Sequence, residues 1–162
     1  MKKRNEYDKK RGTRLREARK NSGMTVLEIA EKCNRTRSAI VAYECGRNYP
    51  TPEVLQNMME NYNVTSDYIM KGEEPGKKPN IEKMKPFSKK EFGKRYKERF
   101  KEIKEIRSMT RDKLLEEMGI DVSSHHRYGK GEEMPHMERI IDIADELERT
   151  IDYLLYGIEE KE

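Results

Sequence analysis

The chain repeats itself at a constant offset. Residues 12–72 and 97–157 align without a gap when the sequence is shifted by 85 positions, and 14 of the 61 aligned residues are identical. The identical pairs include residues that end helices and form turns, namely Gly46/Gly131, Pro50/Pro135 and Gly72/Gly157. Chance does not produce a gapless match that keeps the turn residues, so the sequence predicts two copies of one small domain.

The composition limits each copy to a small core. Of the 162 residues, 33% are hydrophobic and 41% are charged, and tryptophan is absent. Helical domains of about 60 residues fold on such a composition, although with a narrow margin of stability. No apolar run has the length of a membrane span or of a signal peptide. We therefore expect a cytoplasmic protein with no membrane partner.

Changes in composition divide the chain into four segments. Residues 1–11 carry six Lys or Arg against two acids and form either a basic N-terminal arm or an extension of the first helix. Residues 12–72 form the first domain, and residues 73–87 form a linker rich in Pro and Lys. The second domain covers residues 88–157 and begins at Ser88-Lys-Lys-Glu91, which is a capping-box pattern.

Each repeat carries the signals of five short helices. Threonines stand at four candidate N-caps of the first repeat: Thr25, Thr36, Thr51 and Thr65. Glu28 completes a capping box with the first of them, and Pro52 occupies the first position of the fourth helix. Asn34 suits a left-handed turn before the third helix, whose Ile40 and Tyr43 point inward. These signals predict an all-α fold.

A helix, a short turn with Asn or Gly, and a second helix with a polar start are the parts of a helix-turn-helix. The first helix braces against the DNA backbone while the second presents its N-terminal residues to base edges. The stretch 15–72 resembles the Cro/repressor-type (XRE-like) helix-turn-helix family. The motifs that carry the resemblance are Thr25/Glu28/Ala30, Thr36-Arg37-Ser38, Tyr43-Glu44-x-Gly46, Pro50 and Asp67-Tyr68-Ile69. It implies two tandem five-helix lambda-repressor-like domains joined by a linker.

The resemblance also implies where DNA lies. It places the start of the third helix at base edges and the loop after that helix on phosphates. The predicted DNA-binding residues are Thr25, Thr36, Arg37, Ser38, Val41, Ala42, Arg47 and Asn48. The arginine fork matches the O6 and N7 acceptors of guanine, and Val41 and Ala42 suit thymine methyl groups. The alternatives are a solvated surface arginine for Arg37, helix filling without base contact for Val41 and Ala42, and ordinary turn polarity for Arg47 and Asn48. Val26 departs from the family, which often has a phosphate-binding glutamine there.

An ion pair between Arg19 and Glu44, bracing the first helix against the third, is likewise implied by the resemblance. The second repeat has Lys104 and Gly129 at these two positions. It resembles the family more weakly, and its Glu132 and Glu133, which replace Arg47 and Asn48, oppose phosphate contact because such contacts depend on positive charge.

Two interpretations of the second repeat stay open. Its recognition face would consist of Ser123, Ser124, His126 and Arg127. Alternatively, it is a degenerate copy kept for dimerisation or for binding a partner protein. Residues 97–157 carry eleven basic against fifteen acidic residues, whereas residues 12–72 carry nine against seven. This charge asymmetry favours the alternative.

Neither a metal site nor a catalytic site is expected. Adjacent His125 and His126 point about 100° apart on a helix and make poor joint ligands. His125 aligns with the inward-facing Ile40, which favours a hydrogen-bonded core histidine. Cys33 and Cys45 lack the spacing of a zinc motif and fit free, buried thiols. The sequence has no phosphate-binding glycine loop and no recognisable nucleophile and base, so we expect no cofactor and no enzymatic activity.

The expected function is that of a sequence-specific DNA-binding transcriptional regulator, a repressor that acts by occupying an operator. Its partner is double-stranded DNA, read either by a homodimer formed through the second domain or by one chain as a pseudo-dimer. The rival hypothesis is a protein-interaction module, such as an antitoxin or a phage-encoded antagonist, that uses the second domain as its contact surface.

Overall fold

The computed structural model describes residues 2–72 and 81–159, and every regular element in these ranges is a helix. The predicted all-α class is therefore confirmed. The chain divides into two compact units, Met1–Lys83 and Met84–Glu162. Among the described residues, none of the helices combines the length and hydropathy that a membrane span requires.

Five α-helices make up the described part of the first unit before residue 73. They are α1 (Lys2–Asn21), α2 (Val26–Lys32), α3 (Arg37–Glu44), α4 (Pro52–Tyr62) and α5 (Ser66–Lys71). A short 3-10 helix, Ile81–Lys83, follows later. Residues 73–80, which hold most of the predicted linker, lie outside the described residues.

The helices of the first unit begin at the threonines that the sequence indicated. Thr25, Thr36, Thr51 and Thr65 each accept a hydrogen bond from the backbone N–H three residues later. The capping box of Thr25 with Glu28 is complete in both directions. An N-cap satisfies backbone donors that the first helical turn leaves without partners, which is why these residues fix where each helix starts.

The first helix begins ten residues before the repeat does. It begins at Lys2, so the described part of the basic N-terminal segment continues α1. Leu15 and Ala18 of α1 are buried together with Ile29, Ile40 and residues of α4 and α5. The core of this unit is thus formed by residues from all five helices.

The second unit also has five α-helices in its described residues. They are α6 (Lys89–Ile106), α7 (Arg111–Met118), α8 (Val122–Lys130), α9 (Met137–Glu146) and α10 (Ile151–Tyr156). Ser88 caps α6 by accepting from the N–H of Glu91. Residues 84–87, assigned to the linker from sequence, belong to this unit, and Lys85 donates its N–H to the carbonyl of Tyr156 at 3.2 Å.

An aromatic cluster occupies the α6–α8 contact of the second unit. Phe92, Tyr96 and Phe100 are buried on α6, and Tyr96 has its ring edge towards Tyr128. The Tyr96 hydroxyl lies 2.7 Å from Nδ1 of His125, whose ring centre is 4.4 Å from that of Phe100. His125 is therefore a half-buried, hydrogen-bonded packing residue.

Candidate nucleic-acid interface

The turn between α2 and α3 is set by one left-handed residue. Asn34 has a φ of 48°, as its side chain type predicted. The N–H of Arg35 then donates to the carbonyl of Ala30 at 2.9 Å, which ends α2. Thr36 follows as the exposed N-cap of α3, with its hydroxyl oxygen 3.2 Å from the N–H of Ala39. The start of α3 is thereby presented at the surface.

The buried side of α3 fixes which residues it presents. Ile40 is fully buried and Tyr43 is 7% exposed. Positions 37, 38, 41 and 42 lie on the other side of a helix with 3.6 residues per turn. Arg37, Ser38 and Val41 are indeed exposed and Ala42 is half-buried. The structure thus brings the predicted base-reading residues together on one face.

An ion pair ties α3 to α1. Arg19 donates from Nε to Oε1 of Glu44 at 2.6 Å and from Nη2 to Oε2 at 3.0 Å. Its Nη1 donates to the carbonyl of Met24 at 3.0 Å. Hydrogen bonding to the Glu44 carboxylate raises the pKa of Arg19. This bidentate contact between nearly buried groups ties α3 to α1.

The loop after α3 exposes the predicted phosphate-binding residues. The side chains of Arg47 and Asn48 are exposed, while their backbone N–H groups point back to the carbonyl of Ala42 at 2.9 and 3.5 Å. The N-terminus of α2 is also exposed, but Thr25 there donates its hydroxyl to Glu28. Thr25 is consequently occupied by its own helix.

Sequence reasoning missed a buried arginine beneath this loop. Arg11 is 2% exposed and lies against the ring of Tyr49, with 3.5 Å between Cζ and the ring centre. Asp8 accepts from both side chains. The spacing of Asp8 and Arg11 by three residues is typical of a helical ion pair. In a segment so rich in lysine and arginine, however, nothing marks one basic residue as buried.

The predicted face of the second unit is engaged in bonds of its own. Ser123, Ser124, His126 and Arg127 all lie on α8, with Ser124 half-buried and the other three exposed. Asp121 accepts from the Ser124 hydroxyl at 2.7 Å, and Arg127 pairs with Glu133 at 2.9 Å. Lys130 lies 3.8 Å from Glu132. Basic side chains of this face are thus partly neutralised by neighbouring acids.

The described residues contain no group of three or more His, Cys, Asp or Glu that could hold a metal ion. Both cysteines are free thiols. Burial raises the pKa of the Cys33 thiol to about 11, so it stays protonated and inert at neutral pH. Cys45 is exposed at the end of α3.

Comparison with known families finds a match in the first unit. Residues 12–75 match a family described as a helix-turn-helix domain. The matched residues include α2, the turn at Asn34 and α3.

Three curated relatives each match part of the chain. The HTH-type transcriptional regulator ImmR of Bacillus subtilis is 37% identical over 67 residues, which are 41% of this chain and 53% of that protein. The cryptic phage CTXphi transcriptional repressor RstR of Vibrio cholerae is 38% identical over 58 residues, 36% of this chain and 52% of that protein. An uncharacterised HTH-type regulator of B. subtilis, YqaE, is 37% identical over 59 residues, 36% of this chain and 51% of that protein. The chain spans about half the length of these relatives, and no solved structure gives a significant match.

Proposed function

We propose that this protein is a sequence-specific DNA-binding transcriptional regulator that represses by occupying an operator. The observation that carries the proposal is the presentation of α3. Its buried Ile40 and Tyr43 and the Arg19–Glu44 pair hold it in place, so its N-terminal residues face outward on a rigid support. The relatives' names, a transcriptional regulator and a phage repressor, support the same function.

The chemistry of the face suits the major groove. Arg37, at the start of α3, offers the planar fork that pairs with guanine O6 and N7, and Ser38 offers a hydroxyl that donates or accepts. Val41 and Ala42 supply apolar surface one turn further on, where a thymine methyl would lie. Arg47 and Asn48 supply a charge and an amide for phosphates.

We propose a different role for the second unit. Helices α7 to α10 start at positions that correspond, at an offset of 85 residues, to those of α2 to α5, and their ends agree to within one residue, as with Thr65/Thr150 and Gly72/Gly157. This supports a degenerate copy of the helix-turn-helix domain. Since Glu132 and Glu133 stand where phosphates would approach, the copy serves dimerisation, and two chains read a palindrome with their first units.

A specific observation favours the rival function of protein binding. Ile106 is 68% exposed and Val122 is 42% exposed, both in the second unit. The first unit exposes two large apolar side chains as well, Leu27 and Val41, so the feature that favours protein binding by the second unit is the acidic excess of residues 97–157.

The test is selection from a random-sequence DNA pool by the full chain at two salt concentrations. We expect one enriched site whose affinity falls steeply with salt, because bound phosphates release counterions. Arg37→Ala should cost about 1–3 kcal/mol in binding and relax the choice at one base position. Lys20→Ala, which removes an exposed charge from α1, should leave base choice unchanged. Enrichment of no sequence would favour the protein-binding function instead.

A further inference from the structure

The loop after α3 is held by residues upstream of the matched helix-turn-helix region. Asp8 and Arg11 lie in α1, outside residues 12–75. Nη2 of the buried Arg11 donates to the carbonyl of Gly46 at 3.1 Å and to that of Asn48 at 3.3 Å. One guanidinium therefore fixes the backbone of the loop at two points, on either side of its exposed arginine.

Asp8 and Tyr49 hold Arg11 in position. Oδ1 of Asp8 accepts from Nη1 of Arg11 at 2.7 Å and from the Tyr49 hydroxyl at 3.1 Å. The ring of Tyr49 covers the guanidinium at 3.5 Å, a cation–π contact. The three side chains close a cycle, here called the loop anchor, that joins α1 to the end of the loop.

Backbone packing adds to the loop anchor. Gly46 has a φ of 72°, and a Cβ atom there would collide with the backbone carbonyl of Asp8. The loop thus lies directly on α1, and only glycine fits between them. Because the loop's carbonyls face α1 while the Arg47 and Asn48 side chains are exposed, its contacts with α1 leave those two side chains available.

We infer that Asp8, Arg11 and Tyr49 are positioning residues for the contacts of Arg47 and Asn48 with DNA phosphates. The inference rests on the proposed function. A loop already held in its bound conformation loses less conformational entropy on binding, so the loop anchor strengthens phosphate contact without touching DNA. Asp8 and Arg11 belong to the N-terminal segment and thus act through contacts within the first unit.

The second unit provides an internal comparison. Gly131 packs against the carbonyl of Lys89 as Gly46 packs against that of Asp8, so the three anchor positions there are Lys89, Phe92 and Met134, which cannot form the same cycle, and the loop residues are Glu132 and Glu133. The anchor and the basic loop therefore occur together in one unit and are both missing from the other. This is the pattern expected if the anchor exists for the loop.

The experiment uses the full chain, its selected DNA site and a series of salt concentrations. In Arg11→Met, we expect the slope of log affinity against log salt to become shallower by about 1, since each phosphate that a Lys or Arg no longer neutralises removes about 0.9 and Arg47 is the charged residue of the pair. The base position read by Arg37 should keep its preference. Amide hydrogen exchange at Arg47 and Asn48 should rise on the order of tenfold while the amides of α2 keep their protection. Lys20→Met is the matched control and should leave loop exchange unchanged.

Two results would overturn the inference: a folded Arg11→Met protein with wild-type slope and loop exchange, or a general loss of affinity at unchanged slope. If Arg11→Met does not fold, Tyr49→Leu opens the same cycle from the loop side and decides by the same readouts. A wild-type chain that selects no DNA overturns the proposed function itself, whereas selection by the wild type with unaltered variants overturns only the loop anchor.

Discussion

The two recognition-type surfaces, on α3 and on α8, differ in what their polar side chains already contact. On the first, Arg37 is exposed at the helix start and Arg47 follows it in the loop. On the second, Arg127 is paired with Glu133, and Asp121 binds Ser124. The helices around the two surfaces, α2 to α5 and α7 to α10, begin at corresponding positions of the repeat. The difference teaches that the charge such a surface presents is set by a few residues outside the core, while the core determines where those residues lie.

The helix contacts beneath these surfaces also differ. In the first unit, a Cβ atom on Gly12 of α1 would come within 2.5 Å of the Glu44 carbonyl oxygen. In the second, the equivalent close approach is at Gly93, one turn earlier on α6, against the carbonyl of Tyr128 at 2.5 Å. Lys97 stands opposite Gly129 there. Two arrangements of glycine thus solve the same packing problem.

The largest expected effect concerns the ion pair that only the first unit has. Arg19→Met leaves the Glu44 carboxylate buried without its partner, because both side chains are at most 10% exposed. We expect the free energy of unfolding of the first unit to fall by about 3–5 kcal/mol. Hydrogen exchange in increasing urea, read on peptides from α1 to α5, measures it.

The second unit supplies the control for that change. Lys104 occupies the position equivalent to Arg19 and is half-buried. Lys104→Met should change stability by no more than about 0.5 kcal/mol. The double variant Arg19→Met/Glu44→Leu should recover much of the loss, since apolar groups replace the pair. A single variant as stable as wild type would show that the pair contributes nothing to the difference between the units.

A smaller effect is expected from the glycine contacts. Gly12→Ala forces α1 away from the α3 backbone and should destabilise the first unit by about 1–3 kcal/mol, despite the better helix propensity of alanine. Gly93→Ala should do the same to the second unit. Lys97→Ala, at the position equivalent to Gly12, should be nearly neutral. Urea unfolding followed separately in each unit measures the effect of all three substitutions. A destabilising Lys97→Ala would contradict the conclusion that Gly93, one turn before Lys97, makes the close contact in the second unit.

The smallest effect is a dependence on pH confined to the second unit. Burial, then the neighbouring charges of His126 and Arg111, lower the pKa of His125 below its usual 6.5. The unfolded chain therefore binds the proton more readily than the folded one, so stability is full above about pH 6.5 and falls on acidification until the folded ring also titrates. The first unit has Ile40 at this position and should show no such decline.

Unfolding of the second unit between pH 8 and pH 5 checks this prediction. His126→Gln should keep the dependence, because that ring is exposed. His125→Gln should remove most of it. If the second unit of the wild-type protein were equally stable from pH 8 to pH 5, its stability would not be coupled to protonation of His125.

Much of the fold was predictable because it depends on local rules. Thr36 and Thr51 start helices where their hydroxyls cap, and Asn34 turns where a left-handed residue is needed. These effects act within three or four residues of the chain. The candidate face on α3 came from the family resemblance, and the burial of Ile40 and Tyr43 on the opposite side of the helix is consistent with it.

The rest depended on which arginine reaches which carbonyl. Arg14 and Arg99 are an identical pair in the repeat, but Arg14 donates to the carbonyls of Ile69 and Met70 while Arg99 donates to that of Leu147. In the second unit Arg95, a turn earlier, binds the carbonyls that correspond to those of Ile69 and Met70. Buried Arg11 was missed for the same reason: long side chains choose partners in three dimensions, which sequence spacing does not specify.

The shifted glycines also bear on how one chain keeps two similar helical units separate while it folds. If α6 docked on α3, Lys97 would bring a Cβ atom to the place where Gly12 passes the Glu44 carbonyl. If α1 docked on α8, Asp8 would do the same against the Tyr128 carbonyl, where Gly93 normally lies. In the register of the 85-residue offset both exchanges press a side chain into backbone, so a swapped first helix has to slide by one turn to bring its own glycine to the contact. The shift therefore disfavours helix swapping in that register, and such swapping is a characteristic failure of chains with repeated domains.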